Sequence, residues 1–216
     1  MREAIRQIHE VKAIGTPFVI KAQRHSTPPR PGTERQRPAW YLDVRRSGDL
    51  IVENAVHNID VCNWIANSRP ESAYGHGKKY LPQAIPAGTQ MMDGFSVEYI
   101  YENDMHLDYS QLYLHPRQMK ELRNNQWYIV FGETGSIEVN GGMLYPMQGE
   151  ASKFLTPELE AKKENATAEF FRCVRANEQP FADVKVGAVA ALTAIMGREA
   201  IYRRRMVTWK ELGVNV

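Results

Sequence analysis

Glu53, His57 and Asp60 are spaced i, i+4, i+7 inside the run GDLIVENAVHNIDVCNW, residues 48–64. On an α-helix at 100° per residue, Glu53 and His57 stand about 40° apart and Glu53 and Asp60 about 20° apart. A histidine flanked by carboxylates on one helix edge can be held in one tautomer and tuned for proton transfer. The alternative for the same three residues is a polar edge that satisfies neighbouring backbone groups. A metal would need a kink or a distant fourth donor beyond this edge, and neither His76 nor His106 is clearly placed to be one, so no metal site is expected. Trp40-Tyr41, just upstream, could line a sugar-binding mouth or anchor a loop.

Other chemistry-bearing patterns fail on context. Gly75-His76-Gly77 has Tyr80 where a dinucleotide loop needs its third glycine, and it follows a helix rather than a strand. No Gly-Lys-Ser, Gly-Lys-Thr or Gly-x-Ser-x-Gly occurs in the chain, which removes Walker-type loops and the α/β-hydrolase elbow. Residues 22–46 hold six arginines (Arg24, Arg30, Arg35, Arg37, Arg45, Arg46) against Glu34 and Asp43. They could meet phosphates or form an arm that docks on a second subunit. With 27 Lys plus Arg against 25 Asp plus Glu over the whole chain, the arm is favoured and a nucleic-acid partner is not expected. Cys62 and Cys173 are too few for a disulfide framework and read as core thiols.

The elements that must carry these residues follow from periodicity. Ile5, Ile8 and Val11 predict a helix closed by Gly15 and Pro17, and PFVIKAQRH predicts a strand. Val52, Ala55, Val56, Ile59 and Cys62 make one apolar stripe and predict a helix over 51–67. Aromatic alternating runs over 95–102 and 105–114 meet at Asn103-Asp104, a hairpin signal. Strands are also expected over 127–131, 136–139 and 143–147, with Gly132-Glu133-Thr134-Gly135 as a turn. Two helices follow, one over 163–175 with Thr167, Phe170, Phe171 and Val174 on one side, and one capped by Asp183 and running to Arg204. Val207-Thr208-Trp209 closes as a short strand. The pattern is α+β rather than alternating βαβ. Of the 216 residues 43% are hydrophobic and 24% charged, and no apolar run approaches the roughly 20 residues of a membrane span, so a soluble globular domain without a membrane partner is expected. An open sheet rich in Tyr99, Tyr101, Tyr109 and Tyr113 would offer one face to a second copy, giving a homodimer.

In order and spacing, these landmarks resemble the C-terminal domain of the Gfo/Idh/MocA oxidoreductases, a family named for glucose-fructose oxidoreductase and inositol dehydrogenase. The resemblance rests on Trp40-Tyr41, Ser47-Gly48-Asp49, Glu53-x-x-x-His57-x-x-Asp60-x-x-x-Trp64, Gly132-Glu133-Thr134-Gly135-Ser136-Ile137, Met196-Gly197-Arg198-Glu199-Ala200 and Val207-Thr208-Trp209. It implies a large, mostly antiparallel open β-sheet with helices on one face, similar to the dihydrodipicolinate-reductase C-terminal domain. It also implies that His57 and Glu53 are the catalytic positions, Glu53 standing where the family has Asp, with Trp40, Tyr41 and Asp60 at the substrate. The implied substrate is a sugar or polyol and the implied cofactor NAD or NADP. The family holds that cofactor in an N-terminal Rossmann domain, whose Glu-Lys-Pro lysine shares the proton work. Neither Gly-x-Gly-x-x-Gly nor Glu-Lys-Pro occurs here. Residues 1–216 therefore read as one substrate-binding and oligomerisation domain without its nucleotide-binding partner, inactive alone and with no cofactor bound to this chain. The alternatives are a stand-alone dimerisation or interaction module, or a domain from a family member with NAD-dependent glycoside-processing activity. The implied compartment is the cytoplasm, or the periplasm if an export signal precedes the nucleotide domain.

Overall fold

A computed structural model describes residues 1–27, 37–81, 90–116, 118–119, 125–161 and 165–214. Arg30 and Arg35 of the arginine-rich stretch lie outside the described residues. The first helix, α1 (Arg2–His9), leads into strand β1 (Pro17–His25). Two short helices, α2 (Ala39–Leu42) and α3 (Val44–Ser47), precede a π-helical turn (Ile51–Ala55) that runs directly into α4 (Val56–Ala66). Then come β2 (Pro70–Lys78), β3 (Gly94–Tyr101), β4 (His106–Leu112), β5 (Asn125–Gly132), β6 (Gly135–Glu138), β7 (Met143–Pro146) and β8 (Ser152–Lys153). Helices α5 (Pro157–Ala161), α6 (Ala166–Ala176) and α7 (Val184–Arg203) follow, then β9 (Val207–Thr208), which is shorter than expected because Trp209 opens a 3-10 turn (Trp209–Leu212).

The strands form one nine-stranded sheet in the order β8-β7-β6-β5-β1-β4-β3-β2-β9. Every neighbouring pair is antiparallel except β1 and β4, which run parallel with Val19 opposite His106 and Lys21 opposite Asp108. The β3–β4 hairpin turns at the expected place, where Asp104 takes a left-handed φ of 62°. Helices α4 and α7 lie side by side on one face of the sheet, and α1 packs on α4, where His9 Nε2 donates to the Ile65 carbonyl at 2.7 Å. Asp183 caps α7 by accepting from the Val186 amide at 2.9 Å, as the sequence predicts.

The tyrosine stripe faces the opposite way from the expectation. Tyr99, Tyr101 and Tyr109 are fully buried under the helices, and Tyr113 packs against the same core. The two-residue period of β3 sends Phe95, Val97, Tyr99 and Tyr101 to one side and Ser96, Glu98 and Ile100 to the other. The side with the larger rings is the one the helices cover, because it buries the most apolar area and gives the Tyr101 and Tyr109 hydroxyls partners. Tyr101 Oη donates to Asn63 Oδ1 of α4 at 2.8 Å. The open face instead carries Tyr74, Ile100, Val19, Phe131, Ile129 and Trp127 around a Lys21–Asp108 ion pair. Helix α6 also departs from the pattern. It begins at Ala166, and Phe170, Phe171 and Val174 are exposed while Cys173 alone turns inward.

Candidate active site

The segment that carries Glu53 and His57 is entered through two consecutive left-handed residues, Gly48 (φ 79°) and Asp49 (φ 69°). A Cβ on Gly48 would press on Val52 at 2.8 Å, so a residue with a side chain there is both strained and crowded. Asp49 is not a glycine, and its buried carboxylate accounts for how it stays left-handed there. Oδ1 accepts from the Leu50 amide at 2.6 Å and the Met92 amide at 2.8 Å, and Oδ2 accepts from Tyr202 Oη at 2.7 Å. The chain then winds through a π turn, a feature that often marks functional sites.

That π turn alters the geometry expected for a plain α-helix. Each π residue advances by less than 100°, which keeps Glu53 and His57 close in azimuth but turns Asp60 further from Glu53 than a plain α-helix would. Among the described residues no hydrogen bond joins Glu53 to His57. Glu53 instead faces Tyr41 on α2. Burial, and next the Glu53 negative charge, push the Tyr41 hydroxyl up to about 12, opposed in part by Arg37, whose guanidinium lies 4.5 Å from the Tyr41 ring centroid. Glu53 Oε2 is itself buried without a hydrogen-bond partner. Trp40 stands edge-on to Tyr41 at 5.9 Å and is exposed, a wall available to an apolar sugar face. His57 is exposed, and Asp60 beside it is half-buried. Burial holds the Asp60 carboxyl above its ordinary value of 3.8, and His57 pulls it partly back. The five predicted residues thus resolve into a Trp40–Tyr41–Glu53 group, joining α2 to the π turn, and a His57–Asp60 group on α4.

The Asp60 carboxyl binds its proton more readily in the folded than in the unfolded chain, so its contribution to stability falls as pH rises above 3.8. Asp60→Asn should therefore melt higher than the parent at neutral pH, and the gap should close as the pH drops below 3.8. Equal melting temperatures of the two proteins at neutral pH would contradict this.

Sequence reasoning missed a polar layer beneath this edge. Asn58 Nδ2 donates to Tyr128 Oη at 2.6 Å and to Gln126 Oε1 at 2.9 Å. Gln111 Nε2 donates to Asn54 Oδ1 at 2.9 Å, and Gln111 Oε1 accepts from Tyr109 Oη at 3.0 Å. Asn54 and Asn58 are themselves i, i+4, a spacing visible in the run that holds Glu53 and His57. Their sheet partners from β4 and β5 lie too far along the chain to be linked to them by any local pattern.

Residues 3–138 match the family described as GFO/IDH/MocA C-terminal domain. The chain belongs to that family. No curated protein matches this family member's sequence. Its fold recurs in solved oxidoreductases. One from Thermotoga maritima superposes with a TM-score of 0.72 at 17% identity, covering 97% of this chain and 59% of that one. Aldose-aldose oxidoreductase from Caulobacter crescentus, complexed with glycerol, gives 0.73 at 14% identity, with 96% and 59% covered. An oxidoreductase from Agrobacterium radiobacter in complex with NAD+, L-tartaric acid and magnesium gives 0.70 at 13%, with 97% and 62% covered. This Gfo/Idh/MocA domain spans about 60% of the length of these proteins.

Among the described residues no strand passes through a glycine-rich turn into a helix N-terminus, the arrangement that cradles a pyrophosphate. Among the same residues no group of three or more His, Cys, Asp or Glu side chains is gathered to hold a metal, and no helix is long and apolar enough to cross a membrane.

Proposed function

We propose that these 216 residues are the substrate-binding and dimerisation domain of an NAD(P)-dependent dehydrogenase acting on a CH–OH group of a sugar or polyol. In this reading the redox half of the reaction lies with a nucleotide-binding domain that the chain itself does not contain, and the chain alone does not turn over. The observation that carries the reading is the exposed His57 beside half-buried Asp60, on a family-specific helical segment whose entry is locked by Asp49. The His57 imidazole takes the proton of the substrate hydroxyl, Asp60 balances the resulting charge, and Glu53 with Tyr41 holds a neighbouring hydroxyl. Trp40 covers the apolar face of the ring. Phe170, Phe171 and Val174 on α6 are exposed, as is Phe181, which Arg2 of α1 overlies at 4.9 Å. This apolar edge is where the reading seats the nucleotide-binding domain.

The binding half of the proposal is tested by titrating the isotope-labelled chain with D-glucose, sorbitol and NAD+ while following the His57 and Trp40 resonances. Saturable shifts with the sugars at millimolar concentration and none with NAD+ are expected, since half a site binds weakly. Micromolar NAD+ binding, or sugars that leave both residues unmoved, would refute it. The dimer rests on the open sheet face, where Tyr74 and Ile100 are exposed next to Phe131, Ile129 and Val19. Sedimentation at micromolar concentration should give twice the monomer mass of 24.7 kDa, and a monomer alone would remove this part of the reading.

A further inference from the structure

The polar layer beneath the His57 edge contains one guanidinium that no carboxylate among the described residues meets at ion-pair distance. Arg24, near the end of β1, projects to the helix side of the sheet and is half-buried. Three arginines among the described residues are half-buried: Arg24, Arg69 and Arg198. Arg69 meets Glu102 at 2.8 Å and Arg198 meets Glu199 at 3.0 Å, whereas no carboxylate among the described residues lies within ion-pair distance of Arg24. Its protein contacts are long. Nη1 donates to the Asn54 carbonyl at 3.3 Å and to Asn58 Oδ1 at 3.4 Å, leaving the Nε and Nη2 donors unused. The amides around it cannot swing to meet it. Asn54 is fixed by Gln111, and Asn58 by Gln126 and Tyr128.

A partly desolvated guanidinium held only by long bonds to neutral groups is costlier than one that an anion completes. Its planar fork matches a carboxylate with two parallel hydrogen bonds. Asn54 and Asn58 directly follow Glu53 and His57 in sequence, so the fork is hydrogen-bonded to the same helical segment that carries the proposed reacting edge. Lys21 of the same strand points to the opposite face and is already paired with Asp108. A single guanidinium with neutral amides beside it suits a monoanion better than a phosphate dianion. We propose that Arg24 is the subsite for a carboxylate on the substrate, and that the substrate is a sugar acid, an aldonate or uronate, rather than a neutral sugar. This inference rests on the proposed function, because it places the carboxylate of that same substrate.

The test compares D-glucuronate and D-gluconate with D-glucose, sorbitol and glucose 6-phosphate as ligands of the full 216-residue chain, for the parent, Arg24→Gln and Arg24→Lys. The parent should bind the two acids at least about tenfold more tightly than the neutral compounds, a preference worth one fork of charge-assisted hydrogen bonds. Arg24→Gln should abolish the preference while leaving glucose affinity unchanged, and Arg24→Lys should keep part of it. The lysine variant also serves as the comparison if glutamine prevents folding. Neutral sugars that bind as well as the acids in the parent, a preference that survives in the variant, or tighter binding of glucose 6-phosphate would each overturn the inference while leaving the dehydrogenase reading in place. Failure of every sugar and acid to bind would overturn both.

Discussion

Asp49→Ala is expected to cost the fold roughly 3–5 kcal/mol, a large share of the 5–15 kcal/mol that holds a typical domain together. The carboxylate accepts from two backbone amides and one tyrosine hydroxyl in a site sealed from water. Alanine would leave the Leu50 and Met92 amides and Tyr202 Oη without this acceptor, and hydrogen bonds to a buried charge are worth about 1.5–3 kcal/mol each. Relief of the buried charge's own desolvation offsets part of that loss, which keeps the total below the simple sum. A further 1–2 kcal/mol or so comes from placing alanine at a φ of 69°. Asp49→Asn should cost far less, since asparagine tolerates the left-handed region and keeps an acceptor oxygen. Urea unfolding checks both: the alanine variant should lose its midpoint at an unchanged m value. A midpoint equal to that of the parent would show that Asp49 does not anchor the entry to the π turn.

The second large effect is a coupling between Gly197 of α7 and Tyr99 of β3. Alanine is normally better than glycine inside a helix by about 1 kcal/mol. Here a Cβ on Gly197 would stand 2.1 Å from Tyr99 Oη and 3.0 Å from Ile51 Cδ1, so the ring or the helix must move. Tyr99 is fully enclosed and its hydroxyl has no hydrogen-bond partner, so it has neither room nor compensation for moving. Gly197→Ala should therefore destabilise by roughly 1–3 kcal/mol, as overpacked cores do. Tyr99→Phe, which deletes only an unpaired buried hydroxyl, should be neutral or stabilising by about 1 kcal/mol. The double variant should recover most of the loss, a coupling of roughly 1–3 kcal/mol in a thermodynamic cycle. Additive single effects would mean that the hydroxyl is not what excludes a side chain from position 197.

Both predictions concern contacts that no local pattern announces. The order Trp40-Tyr41, Gly48-Asp49, Glu53, His57, Asp60 is readable along the chain and was enough for the family. The sequence alone also determined the site helix, the Asn103-Asp104 hairpin, the Gly132–Gly135 turn and the Asp183 cap, because each depends on residues within a few positions of one another. What the tertiary structure decided is everything that depends on pairing at a distance. It set the parallel alignment of β1 with β4, which brings Lys21 to Asp108 across 87 positions. It chose which side of an alternating strand the helices cover, and so turned Tyr99, Tyr101 and Tyr109 from a supposed docking face into core. It inserted a π turn just ahead of His57, and it set Arg24 under Asn54 and Asn58 with no carboxylate among the described residues at ion-pair distance. The physical reason is that a period of two or of 3.6 says which residues share a face but not what will cover that face. That choice is made only when distant segments compete to bury the most apolar area with the fewest unpaired polar groups.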